Sequence, residues 1–216
     1  MNAAAPRGIA FDWGGVFTVG TFDGRAIARL ARLYGVPEAE LRPSYLELME
    51  LFEVGAFDLQ GFAERVSRAV GRDAEEGAFR EAFLDAPLER PATYALVAGI
   101  PEGYAVGMLS NNVPLLCDRV REDPRTARIE RFVFSNEIGA RKPDAVAFMA
   151  LAEGMQLAPH DIVFVDDAEA NVEAARALGF RALLLDTPAA FAARWRAALP
   201  ELAHLTEGPG WQADAA

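Results

Sequence analysis

The sequence points to an α/β fold, a parallel sheet covered by helices, with a helical subdomain inserted after the first strand. Three observations carry this. Short apolar runs end abruptly in polar residues, helical patterns alternate with the later runs, and a long stretch near the start breaks the alternation with helical spacing alone.

The runs read as buried strands: Ile9-Ala10-Phe11 before Asp12, Ala105 to Leu109 before Ser110, Phe132-Val133-Phe134 before Ser135, Ile162 to Val165 before Asp166, and Ala182 to Leu185 before Asp186. Helical patterns separate the later ones: Val113 to Arg121, Ala145 to Glu153 opened by Lys142-Pro143-Asp144, and Ala168 to Leu178 stopped by Gly179. Between about Thr21 and Arg90, apolar residues recur at helical spacing in Ile27-Leu30-Ala31-Tyr34 and Leu41-Tyr45-Leu48-Met49-Phe52. Phe57-Phe62-Val66 and Phe79-Phe83-Leu84 continue this pattern and are expected to form the subdomain's own core.

A chain of 216 residues is long enough to bury a substantial core. Its formal net charge of -11, with no segregated basic stripe, argues against a nucleic-acid or anionic-membrane partner. Cys117 is the only cysteine, so an internal disulfide is impossible and a thiolate zinc site is not expected. The start has no signal-peptide layout, and no apolar stretch is long enough to span a bilayer; a cytoplasmic protein is the expectation.

In open α/β sheets ligands bind beyond the carboxyl ends of the strands, so the residues that close apolar runs carry the chemistry. Asp12 closes the first and leads into Trp13-Gly14-Gly15-Val16, where glycines let backbone approach a ligand. Ser110-Asn111-Asn112 closes the second, Asp166-Asp167 the fourth, and Lys142-Pro143 precedes the helix after the third. Each Asp alone would be read as a helix cap. Converging, Asp12, Asp166 and Asp167 would repel one another, and an oxygen-seeking cation such as Mg²⁺ relieves that repulsion. Ser110 and Asn111 offer donors to an anion, and Lys142 a compact positive charge.

These residues make the chain resemble the haloacid dehalogenase-like hydrolase superfamily over nearly its whole length. The matching signatures are Phe11-Asp12-Trp13-Gly14-Gly15-Val16, Leu109-Ser110-Asn111, Lys142-Pro143-Asp144, and Val163-Phe164-Val165-Asp166-Asp167 continuing through Asn171, Ala174-Ala175 and Gly179. The resemblance implies a Rossmann-like core, residues 7–20 and 91–205, and a helical cap over residues 21–90 that closes as a lid; residues 206–216 are expected to fray. It implies a phosphatase of a small phosphorylated metabolite in which Asp12 attacks phosphorus to form an aspartyl-phosphate. Mg²⁺ would be held by Asp12, the Gly14 backbone carbonyl and chiefly Asp167, with Asp166 as a further ligand or as the partner of Lys142. Ser110, Asn111 and Lys142 would hold the phosphoryl oxygens.

One position departs from the pattern. The family's phosphatases carry a second Asp two residues after the nucleophile, which protonates the leaving group, whereas this chain has Gly14. The main-chain metal contact survives the change and the proton transfer does not, which predicts either a bias toward good leaving groups or an acid from elsewhere. Asp23, Glu53 and Asp58 of the cap are candidates that sequence cannot orient. His160, His204 and Cys117 read as structural or surface residues. Two other readings compete: a catalytically weak metabolite-binding relative, and a 2-haloacid dehalogenase. The second is disfavoured because such relatives carry Tyr at position 14 and lack the Asp166-Asp167 pair.

Overall fold

A computed structural model describes residues 5–20, 22–84 and 88–212. Thr21 and residues 85–87, at the edges of the expected cap, and residues 213–216, the end of the expected tail, lie outside them.

The elements run β1 (Gly8–Phe11), α1 (Phe22–Tyr34), α2 (Glu38–Glu53), α3 (Leu59–Val70), α4 (Glu76–Phe83), α5 (Pro91–Ala98), β2 (Ala105–Ser110), α6 (Pro114–Glu122), β3 (Arg131–Phe134), α7 (Ser135–Ile138), α8 (Ala145–Met155), β4 (Ile162–Asp166), α9 (Glu169–Ala177), β5 (Arg181–Leu184) and α10 (Pro188–Ala198). The strands form a parallel sheet in the order β3-β2-β1-β4-β5. Every residue of β1 and β4 is buried, which is why these strands are continuously apolar and not alternating.

Register places the chemistry. Phe11 lies opposite Val165 on one side and Met108 on the other, so the chain beyond β1 emerges level with the ends of β4 and β2. The Asp12 amide continues the ladder by donating to the Val165 carbonyl at 2.8 Å. Because β2 and β4 flank β1 on opposite sides, their loops diverge there and leave a crevice over Asp12.

Helices α1–α4 fold on one another around Ile27, Tyr45, Phe52, Phe62, Phe79 and Phe83, as the aromatic spacing predicts. Phe62 sits at the centre, its ring between 4.9 and 6.3 Å from those of Phe52, Tyr45, Phe83, Phe79 and Phe57. Val113 and Leu116 of the sheet side join this cluster and tie it to the rest. Where the chain leaves and rejoins the sheet it is stapled by an antiparallel bridge between Thr18 and Glu89, with the Val19 amide donating to Leu88 and the Arg90 amide to Phe17.

The expectation that the chain frays beyond Thr206 fails for the described part. Thr206 is fully buried, and Pro209–Trp211 forms a short 3-10 turn that inserts Trp211, 3% exposed, against Phe191 at 5.1 Å between ring centroids. A tryptophan has enough apolar surface to hold a short polar segment down. No helix among the described residues is long and apolar enough to cross a membrane.

Candidate active site

The ends of β1 and β4 bring Asp12, Asp166 and Asp167 together, with one carboxylate oxygen from each lying within 4.8 Å of the others. Between two of them stands Lys142, 2% exposed, with its Nζ 2.8 Å from Asp12 Oδ1 and 2.6 Å from Asp166 Oδ2. A basic pair at Arg141-Lys142 ordinarily reads as surface, but here the lysine is enclosed by the acids it neutralises.

Asn111 holds Lys142 in place. Its Nδ2 donates to the Lys142 carbonyl at 3.0 Å, and its Oδ1 accepts from the Lys142 amide at 2.8 Å. The side-chain amide expected to face an anion is therefore engaged with the Lys142 backbone, while Asn111 still lines the cavity beside Asp12. Ser110 ends β2 immediately before Asn111 and is 1% exposed.

Asp166 is fully buried and accepts from Lys142 Nζ, the Ala168 amide at 2.8 Å and Asn171 Nδ2, which is 3.1 Å from both oxygens. Those contacts fill the roughly four acceptor positions that a carboxylate offers. Asp166 is thus the buried partner of Lys142, and one of its oxygens also lies within 4.8 Å of those of Asp12 and Asp167. Asp12 differs: its Oδ1 receives the Trp13 amide at 2.7 Å and Lys142, and its Oδ2 receives no protein donor among the described residues.

Asp167 stands against the glycine turn. Gly15 has φ +69°, and a Cβ there would lie 1.9 Å from Asp167 Oδ2, so only glycine lets backbone and carboxylate approach this closely. Gly14 is the opposite case, since a Cβ on it would meet nothing within 4 Å. Arg90, which the sequence did not single out, donates through Nη2 to the Gly15 carbonyl at 3.4 Å and adds positive charge near Asp167.

Electrostatics favour a cation here. Burial pushes Asp12 up to about 7; Lys142 pulls it back, while Asp166 and Asp167 push it further up. Asp167 is likewise raised, by burial and then by Asp166. Burial pulls the Lys142 ammonium down, but Asp12 and Asp166 more than offset it and its pKa ends raised. Burial and the charge of Asp166 raise both Asp12 and Asp167 despite Lys142 between the acids and Arg90 near Asp167, and the ligand atoms the three acids offer are all oxygen. That set suits a small hard cation of the Mg²⁺ type.

The cluster opens onto a cavity of about 150 Å³ lined by Asp12, Gly14, Asn111 and Asp167 from the sheet side and by Phe22, Asp23, Met49 and Glu53 from α1 and α2. A wider open groove of about 1060 Å³ along α6 shares only Trp13 with it and holds none of the acid cluster. Of the cap acids considered, Asp58 caps α3 through the Gly61 amide at 2.8 Å and is absent from the cavity lining, whereas Asp23 and Glu53 line it. His160 lies in the turn before β4, at the opposite end of the sheet, as expected. Cys117 is buried, which pushes its thiol up to about 12 and leaves it inert.

Comparison with known proteins bears on the family and the fold. A model described as haloacid dehalogenase-like hydrolase matches residues 6–179. A phosphatase of Mycobacterium tuberculosis is 31% identical over 196 residues, covering 82% of this chain and 86% of its own. A D-ribitol-5-phosphate phosphatase of Bacteroides thetaiotaomicron is 25% identical over 187 residues, 81% of this chain and 89% of its own. Among solved structures, the magnesium complex of a HAD family enzyme from Bacteroides thetaiotaomicron superposes with a TM-score of 0.71 at 20% identity, covering 84% of this chain and 93% of that one.

Proposed function

We propose, for a chain that belongs to the haloacid dehalogenase-like hydrolase family, a Mg²⁺-dependent phosphatase of small phosphorylated metabolites that works through Asp12. The observation that carries this reading is the buried Lys142 bridging Asp12 and Asp166 beside Asp167, at the carboxyl ends of β1 and β4. The relatives named as phosphatases support the reaction class, and the small cavity supports a small leaving group.

Asp12, the Gly14 carbonyl and Asp167 would hold the cation, with Asp166 anchoring Lys142 behind them. When bound, Mg²⁺ supplies charge neutralisation for the carboxylates and the phosphoryl oxygens. Asp12 Oδ2 is the oxygen that attacks phosphorus, and Trp13 and Lys142 orient it through Oδ1. Lys142 and Ser110 stabilise the charge that gathers on the phosphoryl oxygens, while Asn111 holds the lysine. Water then attacks phosphorus and releases phosphate from Asp12. Helices α1–α4 act as the cap that closes the cavity and excludes bulk water.

The test is release of inorganic phosphate from p-nitrophenyl phosphate with Mg²⁺ and with chelator. The expected result is Mg²⁺-dependent turnover that Asp12→Asn abolishes in a folded protein. Turnover that survives Asp12→Asn, or none across a broad panel of phosphate esters, overturns the reading.

A further inference from the structure

Gly14 removes the carboxyl group that would serve the leaving group, yet it leaves space where that group would stand, since a Cβ there meets nothing within 4 Å. The cavity receives a carboxyl from the other side. Glu53, the last residue of α2, reaches back over the crevice and is 8% exposed. Its Oε2 accepts from Arg141 Nε at 3.0 Å, and Arg141 Nη1 also pairs with Glu50 at 3.0 Å, so the guanidinium is shared. Oε1 of Glu53 has no hydrogen-bond partner among the described residues, and Glu53 lines the same cavity as Asp12, Gly14 and Asp167.

We infer that Glu53 is the general acid and base of this site, donated by the helical insert in place of the missing carboxyl at position 14. The inference rests on the phosphatase reading above. In the first step an Asp12 oxygen bonds to phosphorus, the bond from phosphorus to the leaving oxygen breaks, and the Glu53 proton passes to that oxygen. In the second, a water oxygen bonds to phosphorus, its proton passes to the Glu53 carboxylate, and the phosphorus bond to Asp12 breaks. Glu53 is thereby reprotonated for the next cycle.

The charges around Glu53 suit this cycle. Burial holds it up at about 7; Arg141 and then Lys142 pull it down from the sheet side, while Asp23 pushes it up from α1. Tyr45 of α2 is also close enough for its own ionisation to be opposed by Glu53. An acid balanced near neutrality both donates and recovers a proton, which is the condition for efficient acid–base work. Asp23 fits less well. It accepts a hydrogen bond from Tyr45 at 3.0 Å, which favours its ionised form, although burial raises it overall.

The experiment compares an alkyl phosphate, whose leaving oxygen must be protonated, with p-nitrophenyl phosphate, whose leaving group needs no proton. The quantity read is the ratio of kcat/KM for the two esters. Glu53→Gln keeps an acceptor for Arg141 and is expected to lower that ratio by about 10²–10⁴-fold. Adding Gly14→Asp to that variant is expected to restore at least tenfold of the loss, because the position has room for the side chain. Asp23→Asn is expected to change the ratio less than threefold. An unchanged ratio in Glu53→Gln, or a larger drop in Asp23→Asn, overturns the assignment. Should Glu53→Gln fail to fold, the wild-type pH profile decides. For the alkyl ester alone, kcat/KM should fall as pH rises through about 7, and absence of that limb also overturns it. The phosphatase reading is judged separately, by whether Asp12→Asn abolishes turnover of the aryl ester.

Discussion

At the scale of single residues, the site depends on how close backbone and side chain are allowed to come. Gly15→Ala would place a methyl carbon 1.9 Å from Asp167 Oδ2 at a backbone φ of +69°. The backbone strain alone is worth about 1–2 kcal/mol. The displaced carboxylate matters more, because Asp167 is proposed to be the principal ligand of the cation. We expect the Mg²⁺ concentration for half-activation to rise at least tenfold while the melting temperature falls by only a few degrees, checked by metal titration and calorimetry. Lys142 fails differently. Lys142→Met leaves Asp12 and Asp166 buried with their shared cation gone, and breaking a buried pair in this way costs about 3–5 kcal/mol. Because burial already raises Asp12 to about 7, the orphaned acid takes up a proton as pH falls and the penalty shrinks. Urea denaturation should find the variant much weaker than wild type at pH 8 and closer to it at pH 5.

At the scale of elements, what burial makes uniform is legible and what tertiary folding brings together is not. The strands announce themselves as apolar runs because both faces of the sheet are covered, and Asp12, Ser110 and Asp166-Asp167 stand out because they end those runs. Helix α2 follows its apolar spacing even through Pro43, since Leu41, Tyr45, Met49 and Phe52 bury enough surface to offset the lost hydrogen bond. Helices α5 and α10 are not singled out by pattern, although each carries Pro at its first position. The Ala-rich composition of α10 blurs the contrast between Phe191, Ala192 and Trp195 and its outer face. Glu53 and Arg90 carry no local signature, because their roles come from the way the insert folds back over the sheet. The end of α2 also has a stability consequence. Glu53 binds its proton more tightly folded, at about 7, than at its ordinary value of 4.5. Its contribution is therefore complete below pH 4.5 and is lost as pH rises through 7, since the native state then holds the extra proton across that window. Glu53→Gln should gain in melting temperature relative to wild type as pH rises from 4.5 to 7 and hold that gain above it, which a series of thermal scans measures.

At the scale of the whole molecule, one core lies on each face of the sheet and another within helices α1–α4, and the acid cluster stands where they meet. Trp211 closes the first of these against Phe191, so a chain ending at Gly208 loses a buried indole. Its stability should drop by about 3–5 kcal/mol, as for Trp→Ala in a core, with little change in the Mg²⁺ dependence of activity. The acid cluster has the opposite signature. Asp12 and Asp167 are both held above their ordinary pKa by burial and by the negative charge of Asp166, a stored repulsion that only the folded arrangement creates. A cation that relieves it binds the native state and not the unfolded chain, so it must raise stability by mass action, by about 2.7 kcal/mol at a hundredfold excess over its dissociation constant. Thermal unfolding with Mg²⁺ should therefore rise in wild type and return to the metal-free value with chelator. In Asp167→Asn the metal-free protein should unfold at higher temperature than wild type, because one member of the repelling set is gone, and Mg²⁺ should then add little. The two effects have opposite signs at a single residue. An Asp167→Asn protein that is both less stable without metal and equally stabilised by Mg²⁺ would mean that the acids are held together by the fold for some reason other than a cation.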